Sequence, residues 1–174
     1  MAAFARAGGM DKLFPREQHG PMGNPRLTDR LALAGPEGAI RRNTVTYMSE
    51  VNLILTALAL LLIKHAVADF LLQTAYQRAT KGIYGALGGL THSATHILLT
   101  APVLLLFPAL TPGRLAAILA AEFVLHYHFD WLKDQAVKRN GWTSHDTPFW
   151  WALGVDQLMH GLTYVGIVWL ALTA

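Results

Sequence analysis

Glu122, His126 and Asp130 stand at i, i+4 and i+8 in the stretch Glu122-Phe-Val-Leu-His126-Tyr-His128-Phe-Asp130-Trp-Leu-Lys133. On a helix that spacing stacks an acid, an imidazole and a second acid on one face. These are side chains that bind non-haem divalent metals. Three other segments carry a pair at the same spacing: His65 and Asp69, His92 and His96, Asp156 and His160. The eight residues His65, Asp69, His92, His96, His126, Asp130, Asp156 and His160 are the candidate metal ligands. They suit one or two ions of zinc, manganese or iron. Glu122, one turn deeper than His126, is the candidate general base, with ligation or orientation of His126 as alternatives. Haem fits less well, because acids accompany the histidines.

The elements that must hold these residues are apolar helices. The chain has 174 residues, 53% hydrophobic and 14% charged, which is too apolar for an ordinary soluble domain of this size. It contains no cysteine, which excludes disulfides, thiolate ligands and cysteine nucleophiles. The net charge of +3 is modest, and no block of like charge suggests a nucleic-acid partner. No Gly-x-Ser-x-Gly elbow is present to support a serine nucleophile.

Four membrane-spanning helices are expected, roughly 49–73, 90–107, 112–133 and 147–172. Thr111-Pro112 and Asp146-Thr147-Pro148 read as cap-and-proline starts for the third and fourth. Pro108 is expected to end the second, and a short interfacial helix fits the connection 74–85. The expected fold is all-α: an integral membrane four-helix bundle, up-down-up-down, with a flexible N-terminal extension. Residues 1–47 are Gly-, Pro- and Arg-rich and expected to be disordered or loosely structured, and residues 48–174 form the transmembrane domain. Two readings stand for the extension: Met48 is the natural start, or residues 1–47 form a cytoplasmic or interfacial tail. His19, in that extension, reads as solvated.

Short connections make successive helices alternate in direction. The pairs lie late in helix one, early in two, late in three and early in four, so alternation brings all four to one level. A carboxylate at the centre of a membrane helix costs about 2.5–3.5 kcal/mol on insertion scales. Asp69, Glu122, Asp130 and Asp156 together cost on the order of 10 kcal/mol if unpaired, which one or two bound cations would offset. Lys64 and Lys133, at helix ends, are expected to snorkel to the headgroups. His128 points away from His126 and reads as an interfacial residue or a partner to a ligand, while His145, in a polar connection, reads as solvated, with a place over the site as the alternative. Gln73 and Gln157 are expected to bond to the ligands rather than to metal. The basic residues of connections one and three place the ligand end in the cytoplasm and the C-terminus outside.

The motifs Lys64-His65-Ala-Val-Ala-Asp69-Phe-Leu-Leu-Gln73, Thr91-His92-Ser-Ala-Thr-His96, Glu122 to Lys133 and Asp156-Gln157-Leu-Met-His160, in this order, resemble a bacterial family of small membrane proteins, domain of unknown function 3307. The resemblance covers about residues 50–172. It implies a multi-pass protein of the bacterial cytoplasmic membrane with the lipid bilayer as its partner, and brings no established activity. In style of motif the chain is also similar to membrane-bound metal-dependent hydrolases. The expected function is metal-assisted hydrolysis of a membrane-associated, lipid-like substrate near the cytoplasmic face. The alternatives are proton or metal-ion transport, and a non-catalytic assembly factor with a structural His/Asp network.

Overall fold

The computed structural model describes residues 35–173, which are helical and contain no strand. The extension's residues 1–34, His19 among them, lie outside the described residues. The chain divides after Tyr47 into two units, 1–47 and 48–174. Helix α1 spans Pro36–Ala66 and continues as a π-helical turn, Val67–Leu72. It starts thirteen residues earlier than the expected Ser49, because Pro36 suits a first helical position and Glu37 favours the first turn.

Helix α2, Ala75–Thr80, is the expected short helix of the first connection. A reciprocal capping box of Thr74 and Gln77 opens it. Helix α3 runs Leu87–Leu104, three residues earlier at each end than expected. Pro102 inside it cannot donate to the Leu98 carbonyl one turn back, which weakens the last turn, and the helix ends two residues later, at Leu104, before Pro108. Helix α4, Pro112–Asn140, opens as expected, with the Thr111 side chain accepting from the Arg114 N–H. It runs seven residues beyond Lys133, to a left-handed cap at Gly141 with φ 65°.

Helix α5, Thr147–Leu172, starts where expected, but Asp146 does not cap it. The Asp146 carboxylate instead accepts from the Thr143 N–H at 2.8 Å and the Thr143 hydroxyl at 2.9 Å. These two bonds hold its carboxyl below the usual carboxylate range.

Among the described residues, Pro36–Leu72 and Thr147–Leu172 are long and apolar enough to cross a membrane. The expectation of four such helices is therefore met for two. Helix α3 gives much of its first half to Thr91, His92, Ser93, Thr95 and His96, and α4 ends in a charged turn. Helix α3 packs on α4, and α4 on α5. The apolar core draws Ala57 and Leu61 from α1, Val103 and Leu104 from α3, Ile118 from α4, and Ile167 and Val168 from α5.

Candidate metal centre

Above this core each long helix continues its buried stripe with polar residues. Leu61 leads to Lys64, His65 and Ala68; Leu104 to Thr100, His96 and His92; Ile118 to Glu122, His126 and Asp130; Val168 to Tyr164, His160 and Asp156. Steps of three and four residues keep each series on one face. The polar residues therefore stack in tiers on the apolar layer.

The innermost tier is an ion pair. Lys64 Nζ lies 2.6 Å from Glu122 Oε1, and both side chains are buried. The Thr100 hydroxyl donates to the same oxygen at 2.9 Å, and Lys64 Nζ stands 4.5 Å from the centre of the Tyr164 ring. Lys64 thus does not snorkel. Its neighbours along the helix face, Ala57 and Leu61, are fully buried, and its stem follows them inward. Lys133 does not extend freely either: it is largely buried and pairs with Asp134 at 3.1 Å.

The next tier gathers four imidazoles around His126. Ring centres lie 3.7 Å away for His96, 4.2 Å for His160, 5.2 Å for His92 and 5.9 Å for His65. His126 is 2% exposed, and neither of its ring nitrogens has a hydrogen-bond partner among the described residues. His160 Nδ1 donates to the Asp156 carbonyl at 2.8 Å, which leaves the buried Nε2 without a partner. His65 is held from the side, Nδ1 2.9 Å from the Tyr164 hydroxyl and Nε2 3.1 Å from Gln157 Oε1.

The carboxylates close the cluster. Asp69 sits in the π turn, a feature frequent at functional sites. Its Oδ1 is 3.1 Å from His96 Nε2 and 3.3 Å from His92 Nε2. Its Oδ2 is 3.3 Å from His65 Nε2. Asp130 Oδ1 pairs with the buried Lys81 at 3.0 Å, while Oδ2 lies 3.2 Å from His92 Nε2 and 3.6 Å from His126 Nε2. Asp156 stands at the margin: Oδ1 is 3.8 Å from His160 Nδ1 and makes no hydrogen bond.

Two sets of donors are close enough to hold an ion. Ligand atoms of Asp69, His92, His96 and His126 all lie within 4.8 Å of one another, as do those of His126, Asp130 and His160. Donors around a tetrahedral zinc with bonds of 2.0–2.1 Å stand about 3.3 Å apart, close to the Asp69–His92 and Asp69–His96 separations. Those two contacts alone would also suit hydrogen bonds. The unpartnered nitrogens of His126 and His160 would not, since buried polar atoms without partners are costly. The donor set and its spacing therefore fit a divalent ion.

All eight expected ligands come together at this level. Six fall into the two donor sets, while His65 and Asp156 lie beside them. Glu122 is a tier away, in its ion pair. His128, half-buried, faces Tyr84 and the Val124 carbonyl, and His145 is exposed. Gln73 and Gln157 contact His92 and His65, as expected. Lys81, Tyr164 and Thr100 were not legible as partners from spacing between acids and histidines. Tyr164 and Thr100 nevertheless carry a signal, each lying four residues beyond a histidine of the cluster. Lys81 comes from the first connection, which has no period.

Residues 57–174 match the model of a family described as "Protein of unknown function (DUF3307)". The match covers more than half of the chain, and the chain belongs to this family. No curated protein and no solved structure matches it.

Proposed function

We propose that this chain of the DUF3307 family is a membrane-embedded helical bundle whose His/Asp cluster holds one or two divalent ions and hydrolyses a membrane-associated substrate. One observation carries the reading: His126, fully enclosed by four other imidazoles, leaves both ring nitrogens unpartnered where two donor sets meet. The two spans of sufficient length and apolarity support the membrane part. Helices α3 and α4, with polar residues turned inward, complete the bundle.

A bound ion would lower the pKa of a coordinated water and polarise the scissile group. The chain's own residues supply the rest. Asp69 and Asp130 balance the ion's charge, and Lys81 and Gln73 orient Asp130 and His92. Glu122 lies in neither donor set and is engaged by Lys64 at 2.6 Å, so it is assigned to anchoring Lys64 and the tier above it. Asp156, whose Oδ1 is unpartnered 3.8 Å from His160 Nδ1 at the margin of the cluster, is assigned the role of taking a proton from water.

Conduction of protons or ions fits less well. Beneath Lys64, Thr100, Glu122 and Tyr164 the interior turns apolar, and a path would need polar groups to continue. A purely structural network would satisfy its own members, which the unpartnered His126 and His160 atoms do not.

Elemental analysis of the purified chain tests the reading. The expected content is roughly one to two equivalents of zinc, manganese or iron. His126→Ala depletes the metal and His145→Ala does not. Folded wild-type protein that is metal-free and rebinds none of these ions would overturn the proposal.

A further inference from the structure

A cleft of about 450 Å³ opens between the last turns of α4 and the first turns of α5. Phe129, Leu132, Trp142, Trp151, Val155 and Met159 make its apolar walls. Its polar wall residues are Lys133 and Asp156. Asp156 is only 5% exposed, and its unpartnered Oδ1 lies beside His160. The cleft therefore shares a wall with the candidate centre. The Phe129 ring forms another part of that boundary, edge-on to His160 with centres 5.7 Å apart.

The cleft does not end at Phe129. A second cavity of about 350 Å³ shares Phe129 and Met159 with it and continues along the same seam past Leu125, Leu162 and Ile167. A third, of about 150 Å³, shares Ile118, Ala121 and Leu170 with the second and ends at Arg114. From Ala136 to Ala117 the seam is about 28 Å long at 1.5 Å per residue, close to the thickness of a hydrocarbon core. Leu125, Leu162, Val155 and Trp151 along it are exposed. At its head end three cations, Lys133, Lys138 and Arg139, stand against two acids, Asp134 and Asp156; Lys133 and Lys138 share Asp134, and of the cations Lys133 lines the cleft.

We propose that this seam seats a phosphate-bearing membrane lipid, its acyl chain along α4 and α5 and its phosphate held at Lys133, with the Asp156 carboxylate on the far side towards the centre. Resting on the metal-centre reading, this makes the lipid's head-group ester the bond presented for hydrolysis. A long apolar track suits a chain. The basic head end suits an anion, and the buried carboxylate marks the side that faces the centre. The polar residues along the rest of the track are few, Glu122 and Thr163 in the second cavity and Arg114 in the third, so selectivity resides in charge and chain length rather than in head-group shape.

The test uses the full chain in mild detergent and phosphatidic acid carrying a photoreactive group on one acyl chain. Labelled peptides are mapped, and metal content is measured in the same samples. Labelling is expected within 117–132 and 151–170, competed by unlabelled phosphatidic acid and much less by phosphatidylcholine. Lys133→Gln should weaken that preference about fivefold, one lysine's share at an anionic lipid surface. Ala152→Trp, which fills the cleft, should abolish focused labelling while leaving metal content unchanged. Labelling spread evenly over the outer helix faces, or equal competition by both lipids, would overturn the proposal. So would a stable dimer whose second copy covers the seam and blocks labelling. Focused labelling of metal-free protein would instead uphold the lipid seat and defeat the metal reading. Metal-loaded protein with unfocused labelling would defeat the seat alone.

Discussion

Replacing Lys64 by Met keeps most of the buried stem and removes the ammonium that faces Glu122. At 2.6 Å and an effective dielectric of about 20, the lost attraction is roughly 6 kcal/mol. Desolvation of each ion, several kcal/mol, already opposes that attraction in the native protein. The net cost of breaking such a pair is about 3–5 kcal/mol, because one charge is left buried without compensation. Thr100 is the only other hydrogen-bond donor to the stranded Glu122 carboxylate among the described residues. Glu122→Gln should cost a similar amount by stranding Lys64. The double variant leaves neither charge and should fall within about 2 kcal/mol of wild type. Unfolding in mild detergent, followed by helicity and by tryptophan fluorescence, measures the four corners of the cycle. The double variant should also retain its metal, since neither residue belongs to a donor set. Costs that simply add, or a Lys64→Met cost under about 1 kcal/mol, would refute the buried pair and restore a solvated lysine.

Three further outcomes are expected. Gly88→Ala would drive its Cβ into the Thr80 hydroxyl and to 3.2 Å from the Gln77 backbone, costing about 1–3 kcal/mol in the same unfolding assay. The Asp146 carboxyl, held low by Thr143, stabilises the fold above its unfolded pKa, and that contribution is lost as pH falls through the depressed folded value. Asp146→Asn should therefore flatten the acid limb of the stability profile below about pH 4 and matter little when wild type is already protonated. A chain starting at Met48 should match the full chain in yield and thermal stability, since the core and all eight ligand candidates lie beyond it. Loss of folded protein on that truncation would contradict it.

The residues of the His/Asp cluster were legible because helix geometry is local. His126 and Asp130 share a face whatever packs on them, and chain direction then sets the level at which the four pairs meet. What lay across the interior was less legible. Lys64 at a helix end looks free to reach water, and only Glu122, 58 residues away, shows why it turns inward. Asp146 has the composition of a cap, yet Thr143 competes for its carboxylate and wins. The sequence expectation counts α3 and α4 as spans, whereas their mean hydropathy falls short of that, because residues such as His92, His96, Glu122 and His126 count against the average although they are buried. The π turn at Asp69 left no mark in the residue pattern, and it depends on the partners His92 and His96 that the turn reaches.

X-ray absorption at the metal edge of the purified, metal-loaded chain tests the His126 centre most directly. The expected spectrum has a shell of nitrogen and oxygen donors at about 2.0–2.1 Å for zinc, with imidazole scattering and no sulfur. His126→Ala should remove or thin the imidazole contribution. With both sites filled, a metal–metal distance of roughly 3.5–4 Å is expected. A shell of oxygen alone, or a spectrum unchanged by His126→Ala, would contradict a metal held at this cluster.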